Sequence, residues 1–273
     1  MRKGKVYIVG AGPGSPDLLT VKAARLLKKA DVVIYDRLVN PEVLKLVRGS
    51  ARKIYAGKRT GEGHLQGRIN DLMLSEAEGG RSVVRLKGGD PMIFGRGGEE
   101  AEFLMRSGVL FEIVPGISSA FAAPDLAGIP LTHRKLSSSI MIATGQRAGS
   151  KQEEGVNWRS AAHAADTLII LMGAATFPEI ARRLIDGGMR ENTPVAVIER
   201  AATPEQKTRV FRLGAMMKRD PSNTIHPPCV IVIGRVASLA RKLDWLRVAG
   251  KTTLEAPRRN RPRRNDDLHG SPA

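Results

Sequence analysis

The residues with most chemical potential lie between Arg85 and Glu100. Five glycines fall within eleven positions there, interleaved with Lys87, Asp90, Arg96, Glu99 and Glu100. Glycine loses more conformational freedom on folding than any other residue, so this density marks backbone that turns sharply or approaches a ligand closely. Charges of both signs in such a loop can bind a polar ligand and move protons. A second candidate is Gly10-Ala-Gly-Pro-Gly14, followed by Asp36 at the end of the next apolar run. Half of a dinucleotide fingerprint is present, but its third glycine falls at Ser15. Pro13 and Pro16 also remove backbone N–H groups that would cradle a pyrophosphate. The loop is expected to approach a ligand other than pyrophosphate. His133 has no companion at ligand spacing, so no metal site is expected. Cys229, between proline and valine, reads as a buried, inert thiol.

These loops need elements to hold them. Short apolar runs at Lys5–Val9, Asp31–Tyr35, Ala51–Tyr55, Ser82–Leu86 and Leu110–Val114 read as strands. Helical patterns separate them: one following Asp17 or Thr20, either of which could cap it, then Pro41–Val47, Ile69–Glu78 and Glu99–Ser107. Strand, helix, strand in repetition implies a parallel sheet, and each ligand-like loop follows a strand's carboxyl end, where open α/β sheets bind ligands. Ile117–Ala120 opens a small-residue helix containing Pro124, and Ile129–Arg134 reads as a connector. Beyond it, Ser139–Thr144, Thr167–Met172, Pro194–Ile198, Arg209–Leu213 and Cys229–Ile233 read as strands, with a polar loop at Gly145–Val156 and a helix at Phe177–Asp186. The expected organisation is α/β, two α/β domains in tandem, residues 1–134 and 135–248. Residues 249–273 read as a disordered basic tail, because they are rich in Arg, Pro and Asn without apolar periodicity.

The chain has 273 residues and one cysteine, which excludes an intramolecular disulfide framework. No apolar run approaches the roughly 20 residues of a membrane span. Val6–Val9 is too short for the core of a signal peptide. A cytoplasmic protein is expected. The formal charge of +17 favours polyanionic partners: nucleic acid, anionic lipid, or a small molecule with many carboxylates or phosphates.

In order and at nearly the same spacing, the loops from about residue 5 to 247 resemble those of the tetrapyrrole methylases, in the branch acting on uroporphyrinogen III. The resemblance rests on Val9-Gly-Ala-Gly-Pro-Gly14, Tyr35-Asp-Arg-Leu-Val39, Gly57-Lys-Arg59, Val84-Arg-Leu-Lys-Gly-Gly-Asp-Pro91 and Phe94-Gly-Arg-Gly-Gly-Glu-Glu100. It continues through Val114-Pro-Gly-Ile117, Ala127-Gly-Ile-Pro-Leu-Thr-His-Arg134, Met172-Gly173, Thr193-Pro-Val-Ala-Val197, Ala202-Thr-Pro204 and Ile231-Val-Ile-Gly234. It implies a cleft between two domains binding S-adenosylmethionine, without a metal, and a homodimer. It also implies transfer of two methyl groups to uroporphyrinogen III, giving precorrin-2 through precorrin-1. Asp36 matches the family's proton acceptor and Lys58 its proposed donor. Arg96, Glu99 and Arg134 fall at tetrapyrrole positions. The cofactor pattern falls on Pro13, Gly88, Gly89, Asp90, Ile93, Ser118, Ser119, Met172 and Ala201. A substrate with many carboxylates suits a basic protein, since Arg pairs with carboxylates bidentately.

The chain departs from the family's usual residues at Ser15, Leu126, Gln146 and Leu171, and the segment 60–70 is one residue short. Three other readings compete. One is a sibling methylase acting on a later corrinoid precursor. Another is an RNA-binding protein, for which no RNA-binding motif or aromatic stacking platform is evident. The third is a nucleotide-dependent oxidoreductase, which Pro13 and Ser15 disfavour.

Overall fold

In the computed structural model, residues 4–57, 65–146, 155–217, 225–243 and 245 are described. The expected tail, Lys58 and most of the Gly145–Val156 loop lie outside them. Two five-stranded sheets organise the chain. The first is built from β1 (Lys5–Gly10), β2 (Val32–Tyr35), β3 (Arg52–Tyr55), β4 (Ser82–Lys87) and β5 (Leu110–Val114), in the order β3-β2-β4-β1-β5 with every pairing parallel. Helices α1 (Val21–Leu27), α2 (Pro41–Leu44), α3 (Leu65–Glu78) and α4 (Gly97–Arg106) make its crossovers.

Alternation along the strands sorts side chains between two cores. Val9, Val33, Val84 and Leu86 pack with α1 and α2, whereas Val6, Ile8, Val32, Ile34 and Val83 pack with α3 and α4. A strand covered on both faces reads as a nearly continuous apolar run, as β1 and β2 do, whereas the edge strand β3 is polar and largely exposed. Another exception is β4, whose Arg85 and Lys87 share the α3/α4 side with Val83 by period-two alternation.

The second sheet follows the order β6-β7-β10-β8-β9, from β6 (Ile140–Thr144), β7 (Thr167–Leu171), β8 (Pro194–Glu199), β9 (Lys207–Arg212) and β10 (Cys229–Ile233). Only β6–β7 is parallel; the other pairings are antiparallel. One face is covered by α6 (Trp158–Ala164), α7 (Phe177–Asp186) and α8 (Leu213–Met217). The other face is covered by α5 (Ser119–Leu126) and the 3-10 turn Arg235–Arg241. Helix α5 therefore follows the last strand of the first sheet but buries Ala120 and Ala123 against the second, tying the two halves together.

Several boundaries differ from the sequence reading for local reasons. Thr20, not Asp17, caps α1, accepting from Ala23 N at 3.2 Å; Asp17 sits in a 3-10 turn capped by Ser15. Helix α3 begins four residues before Ile69, because Gln66, Gly67 and Arg68 interrupt the apolar pattern after Leu65. Helix α6 was not foreseen: seven residues long, it is capped by Asn157 and buries Trp158 and Ala161. Leu213, read as the end of a strand, opens α8 with its side chain in the core. Pro124 is accommodated inside α5.

Candidate active site between the two sheets

The carboxyl ends of β1, β4 and β5 converge on three glycines. A Cβ on Gly10 would lie 2.5 Å from the Gly116 Cα and 2.6 Å from the Gly89 oxygen. A Cβ on Gly116 would meet that oxygen at 2.3 Å. No side chain fits any of these contacts, which explains glycines at 10 and 116. The first loop is then stitched to the third: Gly89 N donates to Gly12 O at 2.8 Å, Gly12 N returns to Gly89 O at 3.2 Å, and Ala11 N donates to Lys87 O. The Ala11 and Gly12 N–H groups, two of those that would serve a pyrophosphate, are thus engaged by backbone, and among the described residues no α-helix starts before Val21.

Asp90 holds this junction. Its Oδ2 accepts from Gly116 N at 3.0 Å and its Oδ1 from Met92 N at 2.8 Å, so one carboxylate fixes two loops. The chain then folds back so that Gly97 N reaches Pro91 O at 2.9 Å, with Phe94 and Arg96 both at positive φ. Besides these two, the non-glycine residues at positive φ among the described residues are Met172, Arg200 and Ala202. Such conformations cost about 1–3 kcal/mol each and collect at functional sites. Here they fall in the 90–97 loop, at the end of β7 and on both sides of Ala201.

A cleft of about 700 Å³ opens between the sheets. Pro13 and Gly14 line it from the first loop, Arg37–Glu42 from the segment after β2, and Ser119 from α5. Arg200, Ala201 and Thr203–Glu205 line the opposite wall, with Pro228, Cys229 and Val230 of the β10 approach. Gly14 packs close beneath the Ala201 and Ala202 carbonyls. Gln206 Nε2 donates to Leu126 O at 3.2 Å, joining that wall to α5. The volume is within the about 300–1,000 Å³ usual for small-molecule sites. Burial, first, and then the charge of Glu199 push the Cys229 thiol up to about 12, against Arg209.

Beside the cleft lies a buried charge cluster. Asp36 follows β2 immediately, and its Oδ1 accepts from Arg85 Nη2 at 2.5 Å. Arg85, 2 % exposed, also donates through Nε to Glu100 Oε1 at 3.1 Å. Lys87 Nζ lies 2.9 Å from the same Glu100 oxygen and 3.7 Å from Asp36 Oδ2. Gln66 Nε2 adds a third contact to Glu100 Oε1 at 3.1 Å, while Oε2 is buried without a hydrogen-bond partner among the described residues. Burial works against the charges of Arg85, Lys87 and Glu100. For Glu100 it is outweighed by Arg85 and Lys87, which hold its carboxyl below the usual range. For Arg85 it is outweighed by Glu100 and Asp36. For Lys87 it prevails, helped by the charge of Arg85, and the ammonium is lowered.

The nominated residues divide clearly. Pro13, Ser119 and Ala201 line the cleft. Gly88 and Gly89 are not among the cleft-lining residues; Gly88 lies against Leu38, which does line it, with a would-be Cβ 3.0 Å from Leu38 Cβ. Asp90 pins the loops, Ser118 caps α5, and Ile93 packs on the core under the second sheet. Met172 is half-exposed at the end of β7. Arg96 and Glu99 form an exposed pair at 2.5 Å, which raises the guanidinium's pKa through that bond first. Arg134 is exposed in the connector and is not among the cleft-lining residues. Among the departures, Ser15 caps the 3-10 turn and Gln146 N bonds Thr144 Oγ1 at 3.2 Å. Arg85, Lys87 and Glu100 fall in the stretch expected to meet a ligand, but their closure into a buried cluster with Asp36 was not expected. The available signal was two cations at alternate positions of a strand flanked on both sides, which demands a buried carboxylate.

The family model for Tetrapyrrole (Corrin/Porphyrin) Methylases matches residues 5–216. A siroheme synthase of Pseudoalteromonas atlantica is 48% identical over 244 residues, covering 89% of this chain and 52% of that protein. One from Chromobacterium violaceum is 44% identical over 247 residues, with 90% and 52% covered. The chain thus spans about half the length of these curated relatives. Among solved structures, a uroporphyrin III C-methyl transferase from Thermus thermophilus superposes with a TM-score of 0.75 at 41% identity, covering 86% of this chain and 100% of that one. A structure of that enzyme complexed with S-adenosyl homocysteine gives 0.74 at 42% identity, with 85% and 93% covered. A cobalt precorrin-4 methyltransferase gives 0.75 at 31% identity, covering 85% and 95%.

Proposed function

Because the chain belongs to the tetrapyrrole (corrin/porphyrin) methylases, we propose that it is an S-adenosylmethionine-dependent C-methyltransferase adding two methyl groups to uroporphyrinogen III, giving precorrin-2 through precorrin-1. The observation that carries the reading is the Asp36 carboxylate, tethered to Arg85 directly ahead of the cleft-lining segment Arg37–Glu42. Bound in the cleft, S-adenosylmethionine supplies an electrophilic sulfonium methyl. The residues fit it: loops of small residues approach closely, and Pro13, Ser119 and Ala201 present little bulk. Gly88, Gly89, Asp90, Ile93, Ser118 and Met172 complete its surroundings in this reading.

An electron-rich pyrrole carbon bonds the methyl as the carbon–sulfur bond breaks, so positive charge passes to the ring and a proton must leave. The protein's task is mostly positioning, and a fixed carboxylate beside the pocket receives the proton. Asp36 is that base, and Lys58 is assigned as the donor on the resemblance alone. Arg96, Glu99 and Arg134 are assigned to the tetrapyrrole's carboxylates and their surroundings. The same reading divides the chain into residues 1–134, 135–248 and the tail 249–273, and takes the protein as a cytoplasmic homodimer. Among the described residues no helix is long and apolar enough to cross a membrane.

Methyl transfer from radiolabelled S-adenosylmethionine to anaerobically prepared uroporphyrinogen III, with mass analysis of the oxidised product, tests this. Two methyl groups gained is the expected result. No transfer with cofactor binding intact would replace uroporphyrinogen III by a later corrinoid precursor.

A further inference from the structure

We propose that Glu100, on α4 and fully buried, is a positioning residue that sets the pose of Asp36 through Arg85 and Lys87; this rests on the reading of Asp36 as the base. Glu100 Oε1 is shared by Arg85 Nε, Lys87 Nζ and Gln66 Nε2 within 3.1 Å. Its contacts leave Arg85 Nη2 free to take Asp36 Oδ1 and keep Lys87 Nζ near Oδ2. Both Asp36 oxygens are therefore addressed by cations whose own positions are fixed from behind. The two cations balance the two carboxylates, so the cluster is neutral as a whole. A guanidinium spanning two carboxylates has its plane fixed by the first before it meets the second.

Without Glu100, two buried cations would share a single, partly exposed carboxylate. Arg85 would lose its Nε contact and keep only the longer Nη1 bond to Ile34 O, at 3.5 Å, beside Asp36, and Lys87 would lose its nearest counter-charge. The groups bonded to Lys87 or charged beside it among the described residues are Arg85 on its own strand, Asp36 after β2 and Glu100 on α4; α3 supplies only the neutral Gln66. Glu100 raises the Lys87 ammonium and Arg85 lowers it, so removing Glu100 makes Lys87 lose its proton at lower pH.

The decisive variant is Glu100→Gln, which keeps shape and removes charge. Expected are a kcat lower by about tenfold or more, with S-adenosylhomocysteine affinity and the KM for S-adenosylmethionine within about twofold of wild type. The alkaline limb of the kcat profile should move toward neutral pH. Lys87→Met should lower kcat in the same way and Lys87→Arg should restore most of it; that pair decides alone if Glu100→Gln does not fold. A folded Glu100→Gln with wild-type kcat would overturn the proposal. So would parallel loss of cofactor binding and turnover, which marks a purely structural role. If the wild-type protein transfers no methyl to uroporphyrinogen III, the functional reading fails separately. The crystal structure of Glu100→Gln then judges the positioning: an Asp36 carboxylate turned off Arg85 supports it, and an unchanged pose refutes it.

Discussion

Arg85 and Asp36 join two neighbouring strands at their carboxyl ends: the guanidinium Nη2 lies 2.5 Å from Oδ1, with Arg85 almost wholly buried. This pair connects the core to the chemistry, because one partner belongs to a strand covered on both faces and the other adjoins the cleft.

Replacing Arg85 by Met should destabilise the protein by about 3–5 kcal/mol, since it leaves Glu100 buried and stripped of its guanidinium. Urea unfolding with and without S-adenosylhomocysteine would measure it. A change under about 1 kcal/mol would mean that Lys87 and Gln66 neutralise Glu100 unaided.

Gly116→Ala should weaken cofactor binding more than it affects folding. The added methyl would fall 2.3 Å from the Gly89 oxygen and 2.7 Å from the Gly10 Cα, at the junction of three loops and at the end of the sheet rather than its centre. The loops must part, breaking the Asp90–Gly116 bond. Calorimetry with S-adenosylhomocysteine should give an affinity at least about tenfold weaker, a loss of about 1.4 kcal/mol or more. Unaltered affinity would show that the loops part without disturbing the cleft.

The first sheet was legible because β1 and β2 are largely apolar on both faces and the connections alternate regularly. Val32–Tyr35 and Ser82–Lys87 fall within a residue of their expected bounds. The close approach of Gly10, Gly89 and Gly116 was legible only as glycine density, because convergence of distant loops leaves no local period. Helix α6 was missed for a related reason: seven residues with two buried side chains give too short a stripe to register. Of the charge cluster, Asp36 was found through its place after a strand. Arg85 and Glu100 are fifteen positions apart, and only the register of β4 against α4 makes them partners.

Asp36→Ala and Arg96→Ala should both lose turnover while retaining the cofactor. Neither lines the cleft: Asp36 adjoins its wall, and Arg96 is exposed and paired with Glu99. For Asp36→Ala a fall in kcat of about 100-fold or more is expected, the usual contribution of a positioned general base. Arg96→Ala should raise the KM for the tetrapyrrole, because a solvent-facing guanidinium serves carboxylate binding. Steady-state kinetics under anaerobic conditions, alongside binding of S-adenosylhomocysteine, would test each separately. A wild-type kcat/KM for the tetrapyrrole in either variant would remove that residue from the mechanism.

Acid should weaken the fold through Glu100, and the sign follows from its surroundings. Burial alone would favour the protonated form, but Arg85 and Lys87 outweigh it and hold the folded carboxyl below the usual range. In the unfolded chain the same group takes a proton near its ordinary value of about 4.3. As pH falls, the unfolded state therefore binds the proton first. The stabilisation is complete above the unfolded value and is lost progressively down through the folded one. Urea midpoints measured from pH 7 to below pH 4 should fall more steeply for wild type than for Glu100→Gln, which starts lower and has no such proton to gain. Parallel curves would mean that the remaining carboxylates, and not this cluster, govern acid unfolding.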